Sequence, residues 1–302
     1  MIVVRPWTLS FADDGRDGTH PGYAHCGLVD RSVGATHTDL GLCRLAPGAV
    51  TPRHVHSFEQ CAYVLGGEPA IEIAGSRHQL VAGDFVLFPV GTPHAWWNPA
   101  TSEAHWLEVG TPLAATGQPD TFFLPGSLDA RRPERPTAGD PTLRGIGHYP
   151  GTASQSEALA IRDPARGRAP AGMDTALLAY SGISVKMMVD GGLGASLLTM
   201  FMVDYEPGGA AQAHDHPFEE AYFFLEGEIE GEVDGELRTF RAGEVLFCGV
   251  GVVHGFFNTA GGHVRWIETQ APQPPRRHSY RWPAQWERMA SSEGVTLPGT
   301  AP

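Results

Sequence analysis

The stretch Pro207-Gly208-Gly209-Ala210-Ala211-Gln212-Ala213-His214-Asp215-His216-Pro217-Phe218-Glu219-Glu220 decides the fold, because the chain writes it twice. Its counterpart is Pro47-Gly48-Ala49-Val50-Thr51-Pro52-Arg53-His54-Val55-His56-Ser57-Phe58-Glu59-Gln60. His54, His56, Gly67, Gly83, His94 and Asn98 recur as His214, His216, Gly227, Gly243, His254 and Asn258, every pair 160 residues apart. Trp106/Trp266 and Pro112/Pro272 keep the offset, and weaker matches reach back to Val29-Asp30 and Val189-Asp190. A single His-x-His would say little. A fixed offset over more than eighty residues indicates two copies of one structural unit, each built around three histidines.

The ends of the matching place the copies at about Val29–Pro112 and Val189–Pro272. The expected organisation is an N-terminal barrel with its extension over 1–112, a connection over 113–172, and a C-terminal barrel with a tail over 173–302. The Pro/Gly/Ala-rich connection, with Arg131-Arg132-Pro133 and Ala165-Arg166-Gly167-Arg168, reads as having little regular structure. Within it, Thr121-Phe122-Phe123-Leu124 has the composition of a short strand. Only the connection and the segment Pro283–Ser291 have room for a helix, and Trp282 and Trp286 are expected to pack the tail onto a barrel.

At 302 residues, two units can each bury a core. The net charge of −13 argues against a nucleic-acid partner, which needs a basic face. No apolar run approaches the ~20 residues of a membrane-spanning helix. The first residues carry Asp13, Asp14, Arg16 and Asp17 where a signal peptide needs an apolar core, so a cytoplasmic protein is expected. Cys26, Cys43, Cys61 and Cys248 form no C-x-x-C pair and read as buried small residues. The composition leaves a homo-oligomer open.

Short β-branched and aromatic runs alternate with glycine turns: Cys61–Leu65, Ala70–Ile73 and Phe85–Phe88, then Ala221–Leu225, Glu230–Val233 and Val245–Phe247. Ala74-Gly75 and Asp234-Gly235 fall where hairpins turn. The pattern is all-β, a barrel or sandwich in each half. Side chains two apart share a strand face. On one strand, His54, His56 and Gln60 would therefore point together, as would His214, His216 and Glu220, while Glu59 and Glu219 point away. His94 and His254 then arrive from a neighbouring strand. The same parity picks out Phe58, Trp96, Phe218, Tyr222 and Phe256 as pocket walls, with barrel core as the plain alternative.

These residues resemble the two sequence motifs of the cupin superfamily. Gly208, His214, His216, Glu220 and Gly227 match the first motif at every position. The second follows as Gly243, Gly251, His254 and Asn258, with Gly249 where proline is usual. In the first copy the second motif is complete (Gly83, Pro89, Gly91, His94, Asn98), and the first is complete except for Gln60 at the carboxylate position. The resemblance implies two tandem jelly-roll β-barrels, a bicupin. It also implies a divalent transition metal in each barrel, held by His214, His216, Glu220 and His254 and by His54, His56, His94 and the weaker Gln60. Iron(II) or manganese(II) comes first, with nickel, cobalt, zinc and copper as alternatives. Neutral imidazoles and one carboxylate suit such ions and leave positions open for substrate.

A fold that hosts many chemistries does not choose among them. The leading expectation is a dioxygenase acting on a small aromatic, enolic or diketone substrate, with Glu220 as ligand or base. Three-histidine centres resemble those of gentisate-type and diketone-cleaving dioxygenases, so Gln60 is compatible with activity. The alternatives are a non-redox enzyme (hydrolase resembling ureidoglycine aminohydrolases, decarboxylase or isomerase) and a metal-containing small-molecule binding module.

Overall fold

The computed structural model describes residues 3–6, 21–126, 145–149 and 182–274. Among them the regular structure is β-strand, apart from one 3-10 turn at Arg31–Val33. No helix there is long and apolar enough to cross a membrane. The remaining parts of the connection, the Pro283–Ser291 segment, Trp282 and Trp286 lie outside the described residues.

Each half is two antiparallel sheets facing one another. In the first, a six-stranded sheet runs Ile146–His148, Asp84–Phe88, Glu59–Gly66, Ala104–Thr111, Asp39–Leu45, Tyr23–Val29. Opposite it lies the order Thr121–Phe123, His54–His56, His94–Trp97, Ala70–Ile73, Ser76–Gln79. The second half repeats the plan as Val3–Pro6, Glu244–Cys248, Glu219–Glu226, Val264–Ala271, Thr199–Tyr205, Ile183–Val189. Its opposing sheet is Ala210–His214, His254–Phe257, Glu228–Val233, Glu236–Arg241. The structural repeat thus begins at Tyr23 and Ile183, upstream of where the sequences match. Packing constrains those strands less tightly than ligand geometry constrains the motifs.

Burial explains the sequence texture. Thr199–Tyr205 is buried at every position because one face lines its own barrel and the other meets the N-terminal barrel. Glu228–Val233 alternates, with Glu228 and Glu230 outward and Ile229 and Val233 inward, because its sheet faces water. Ala74 (φ 48°) with Gly75 (φ 86°), and Asp234 (φ 51°) with Gly235 (φ 79°), make the left-handed two-residue turns that a tight hairpin needs.

Three cores result. One fills the N-terminal barrel around Trp96, Trp106 and Phe88, and one fills the C-terminal barrel around Phe224, Phe240, Phe256 and Trp266. The third lies between the six-stranded sheets and joins Leu28, Leu40, Leu42 and Leu107 to Met188, Met200, Met202 and Phe223. Two carboxylates close this interface symmetrically. Glu219 accepts hydrogen bonds from the backbone N–H groups of Thr36 (2.7 Å), His37 (3.0 Å) and Thr38 (2.9 Å), and from the Thr36 hydroxyl (2.7 Å). Glu59 accepts from Ser196 (N–H 2.9 Å, hydroxyl 3.1 Å), Leu197 (2.8 Å) and Leu198 (3.1 Å). Both carboxylates point away from the ligand positions, as parity required, and into the opposite barrel.

The connection is more structured than its composition suggested. Thr121–Phe123 pairs with His54–His56, and Ile146–His148 extends the first barrel's sheet along Asp84–Phe88. Val3–Pro6 does the equivalent for the second barrel, with Val4 opposite Leu246 where Ile146 lies opposite Val86. Each strand covers an edge that would otherwise present unpaired backbone groups.

Candidate metal centres

The single-strand picture of the first motif needs correction. A bend at Ser57-Phe58 separates His54–His56 from Glu59–Gly66, which belong to different sheets. In the second copy the strand ends at His214, with a register irregularity between Ala211 and His214, so His216 lies beyond it. The ligand atoms of each histidine triad still converge, and Glu220 reaches the second triad across its barrel, whereas Gln60 is buried beside a small cavity that His25 and Glu108 also border. The third histidine does come from the neighbouring strand: His94 is opposite His54, and His254 opposite His214.

Ring orientation is set by the backbone. The Nδ1–H groups of His54 and His94 donate to the carbonyls of Pro52 (2.7 Å) and Thr92 (2.9 Å). His214 and His254 donate to Gln212 (2.9 Å) and Val252 (3.0 Å), the positions 160 residues on. His216 Nδ1–H donates to the Phe218 carbonyl at 3.0 Å. His56 uses a side chain instead, donating to Thr121 Oγ1 (3.0 Å), whose own hydroxyl donates to Asp120 Oδ1 (3.0 Å). A carbonyl can only accept, and the Thr121 hydroxyl has already given its proton to Asp120, so each of these rings carries its proton on Nδ1 and turns Nε2 inward, the form that binds metals.

The three ring nitrogens of each set lie within 4.8 Å of one another. In the N-terminal barrel, His94 Nε2 and Gln60 Oε1 are buried and have no hydrogen-bond partner among the described residues. Burying such groups without a partner is costly, and a cation held by the triad would satisfy His94. Burial, and then the neighbouring His54, push His94 down to about 3, so the ring stays neutral. Phe58 stacks on His56 (4.3 Å) and Phe88 on His94 (4.2 Å).

The C-terminal set adds Glu220, with an oxygen 2.7 Å from His216 Nε2 and 3.2 Å from His254 Nε2. Burial and His254 push His214 down to about 3. Burial works against charge on Glu220 and His216 alike, yet their mutual attraction wins, lowering the first and raising the second. A cation between them would take the place of that proton. Glu220 is held from every side: Gln270 Nε2 donates to it at 2.7 Å, Tyr222 donates its hydroxyl, and Glu268 lies against it. Burial and then the Glu220 charge raise the Glu268 carboxyl well above the usual carboxylate range.

Both sets fit a divalent first-row ion, but their surroundings differ. His54 is half-buried, with its ring 6.0 Å from that of the exposed Phe123. His214, His216 and His254 are all buried. Tyr222 places its hydroxyl 3.0 Å from His254 Nε2, where the N-terminal barrel has the small Ala62. Of the expected pocket walls, Phe58 and Phe218 stack on ligand histidines and Tyr222 touches the ligand set. Trp96 stacks on Trp106 (4.4 Å) and Phe256 packs among Phe240 and Trp266, both as core. Sequence reasoning missed the Thr121–Asp120 relay, which needs the connection's register, and Glu268. The latter's signal was the Trp-x-Glu shared by 106–108 and 266–268.

Comparison with known proteins agrees with this geometry. The family model described as Cupin domain matches residues 41–110 and 201–269. Among curated proteins, the polyketide synthase CurC of Streptomyces cyaneus is 29% identical over 150 residues, 45% of this chain and 97% of that protein. Among solved structures, salicylate 1,2-dioxygenase of Pseudaminobacter salicylatoxidans superposes with a TM-score of 0.67 at 15% identity, covering 98% of this chain and 86% of the other. A deletion mutant of oxalate decarboxylase from Bacillus subtilis gives 0.58 at 18% identity, covering 92% and 80%. At such identities the superpositions speak to the fold alone.

Proposed function

The chain belongs to the cupin superfamily as a two-barrel member, and from that premise we propose that it is a divalent-metal-dependent dioxygenase acting on a small aromatic, enolic or diketone substrate, with the chemistry in the N-terminal barrel. In this reading residues 1–112 and 173–302 carry the two barrels and 113–172 joins them. Iron(II) or manganese(II) would be held by His54, His56 and His94 with Gln60 beside them, and by His214, His216, Glu220 and His254 in the second barrel.

The observation that carries the reading is the contrast between the two ligand sets. Three neutral imidazoles leave a bound dication's charge uncompensated, which favours a substrate that brings its own negative oxygens, such as an enolate or phenolate. His54 sits at the accessible side, and Phe123 beside it offers an apolar face to a flat substrate. Phe58 and Phe88, stacked on His56 and His94, keep water from the rear of the set and fix the ring planes. The ion, when bound, supplies Lewis acidity and a site where substrate and O2 are held side by side. Glu220 is gripped by three partners, which suits a fixed ligand better than the mobile base also expected of it.

The test is oxygen uptake by the full chain, loaded in turn with Fe(II), Mn(II), Co(II) or Ni(II) and given phenolic, enolic and 1,3-diketone substrates. Uptake matching substrate loss is expected, and it should vanish in His56→Ala. Equal turnover with and without oxygen would overturn the dioxygenase. That result would favour a second reading, a non-redox reaction on a polyketide, which rests on the name of the Streptomyces relative. Polyketide chains are themselves 1,3-diketones, so the substrate class is common to both. Tight binding without turnover would point to a binding module.

A further inference from the structure

The N-terminal barrel contains a second convergence of ligand atoms, made by residues other than its histidine triad. His25, Cys43 and Glu108 project from adjacent strands of the six-stranded sheet into the barrel, and one ligand atom of each lies within 4.8 Å of the others. Cys43 Sγ is 3.4 Å from Glu108 Oε2 and 3.3 Å from the Tyr23 hydroxyl, and Trp106 Nε1–H donates to Glu108 Oε2 at 3.2 Å. The cluster depends on a missing side chain. A Cβ at Gly41 would stand 2.1 Å from His25 Nε2, so the ring reaches toward Glu108 only because position 41 is glycine.

The other barrel serves as an internal control. At the equivalent positions, 160 residues on, it has Val185, Val203 and Phe201 in place of His25, Cys43 and Gly41, and retains only the glutamate, Glu268. Three correlated departures at one spot convert an apolar core into an imidazole–thiol–carboxylate set. A cavity of about 10 Å³ adjoins it, bordered by His25, Asp39, Gln60 and Glu108. That is close to the space one water occupies, enough for a fourth ligand.

We propose that His25, Cys43 and Glu108 form a further metal site, distinct from the two histidine-triad centres and selective for a borderline-soft ion of the zinc type. Thiolate, imidazole and carboxylate together are the donor set that zinc takes in four-coordinate sites, with water or Asp39 completing it. The half-buried His25 and Glu108 offer the ion a way in, whereas Cys43 is fully buried.

Cobalt(II) distinguishes this site from the triads, because only a thiolate ligand gives a near-ultraviolet charge-transfer band. The full-length protein, stripped of metal and kept reduced, is titrated with Co(II). The band should appear, reach at saturation the intensity of one thiolate-bound Co(II) per chain, and be displaced by Zn(II). It should persist in His56→Ala/His216→Ala, which damages both triads, and disappear in Cys43→Ser. Should Cys43→Ser fail to fold by circular dichroism, His25→Ala, at a half-exposed position, must weaken the band's Co(II) affinity about tenfold or more. No band in the saturated parent, a band surviving in folded Cys43→Ser, or unchanged affinity in His25→Ala would each overturn the proposal.

Discussion

Replacing Glu219 with glutamine tests whether the two barrels are one cooperative unit. The carboxylate receives four hydrogen bonds of 2.7–3.0 Å, three of them from consecutive backbone N–H groups of the other barrel. Glutamine keeps one acceptor oxygen but turns an NH2 group toward donors, so about two of the four contacts are lost. Hydrogen bonds to a charged acceptor contribute about 1.5–3 kcal/mol each, and non-additivity brings the expected loss to about 2–4 kcal/mol. For a chain of this size unfolding as one unit, that is a fall in Tm of roughly 3–6 °C. The effect must also depend on pH. Burial raises the Glu219 carboxyl, but donation from Thr36, His37 and Thr38 outweighs it and holds the group below the usual range. A depressed folded pKa contributes stability that is present above the unfolded value, ~4.3, and is lost as pH falls through the folded one. The gap between parent and Glu219→Gln should be widest above pH ~5 and close in acid. Calorimetry of the full chain at pH 7 and pH 3 measures both, with a single transition expected because one core spans both barrels. A shift under ~2 °C at pH 7, or a gap that ignores pH, would refute the reasoning.

Three further outcomes are expected. Gln60→Glu should raise metal affinity in the N-terminal barrel and Glu220→Gln lower it in the C-terminal one, each about tenfold or more, read by metal titration beside the parent. Thr121→Val removes the acceptor that orients His56, and should weaken N-terminal metal binding about tenfold while leaving the C-terminal site unchanged, since His216 relies on a backbone carbonyl. Ala74→Asn should stabilise the protein by up to about 1 kcal/mol, because asparagine tolerates the left-handed conformation that costs alanine roughly that much; an unchanged or lower Tm would contradict it.

The histidine sets were legible because coordination fixes spacing: His54 and His214 cannot drift relative to their partners without losing the site. The hairpins were legible because left-handed turns restrict residue choice, as at Asp234-Gly235. Tyr23–Val29 and Ile183–Val189 escaped notice as a repeat because packing accepts many apolar combinations. The strand Ile146–His148 escaped for another reason. Backbone pairing to Asp84–Phe88 asks nothing specific of a three-residue segment flanked by glycine and proline-rich sequence. Glu59 and Glu219 did carry a signal: a charged residue repeated beside the ligand position, yet facing away from it, is more than a solvated surface choice. Parity gave its direction, but only the packing of the two six-stranded sheets supplies the backbone donors it meets.

The clamps and the ligands occupy consecutive positions, and this bears on how the two sites divide their labour. Glu219 is anchored in the N-terminal barrel while Glu220, its neighbour, faces His216 and His254; Glu59 is anchored in the C-terminal barrel while Gln60, its neighbour, holds the position equivalent to Glu220. In a strand, adjacent residues point to opposite faces, so a carboxylate fixed on one side fixes the backbone that aims the ligand on the other. The rigid scaffold is therefore the same for both sites, and their differences arise from the side chains placed on it. Tyr222, Glu268 and Gln270 crowd and lock Glu220, whereas Ala62 and Gly110 stand at the first and third of these positions in the N-terminal barrel. A locked carboxylate beside three buried histidines suits permanent retention of an ion. Three histidines with room around them suit exchange of substrate, which is why the N-terminal barrel is assigned the chemistry.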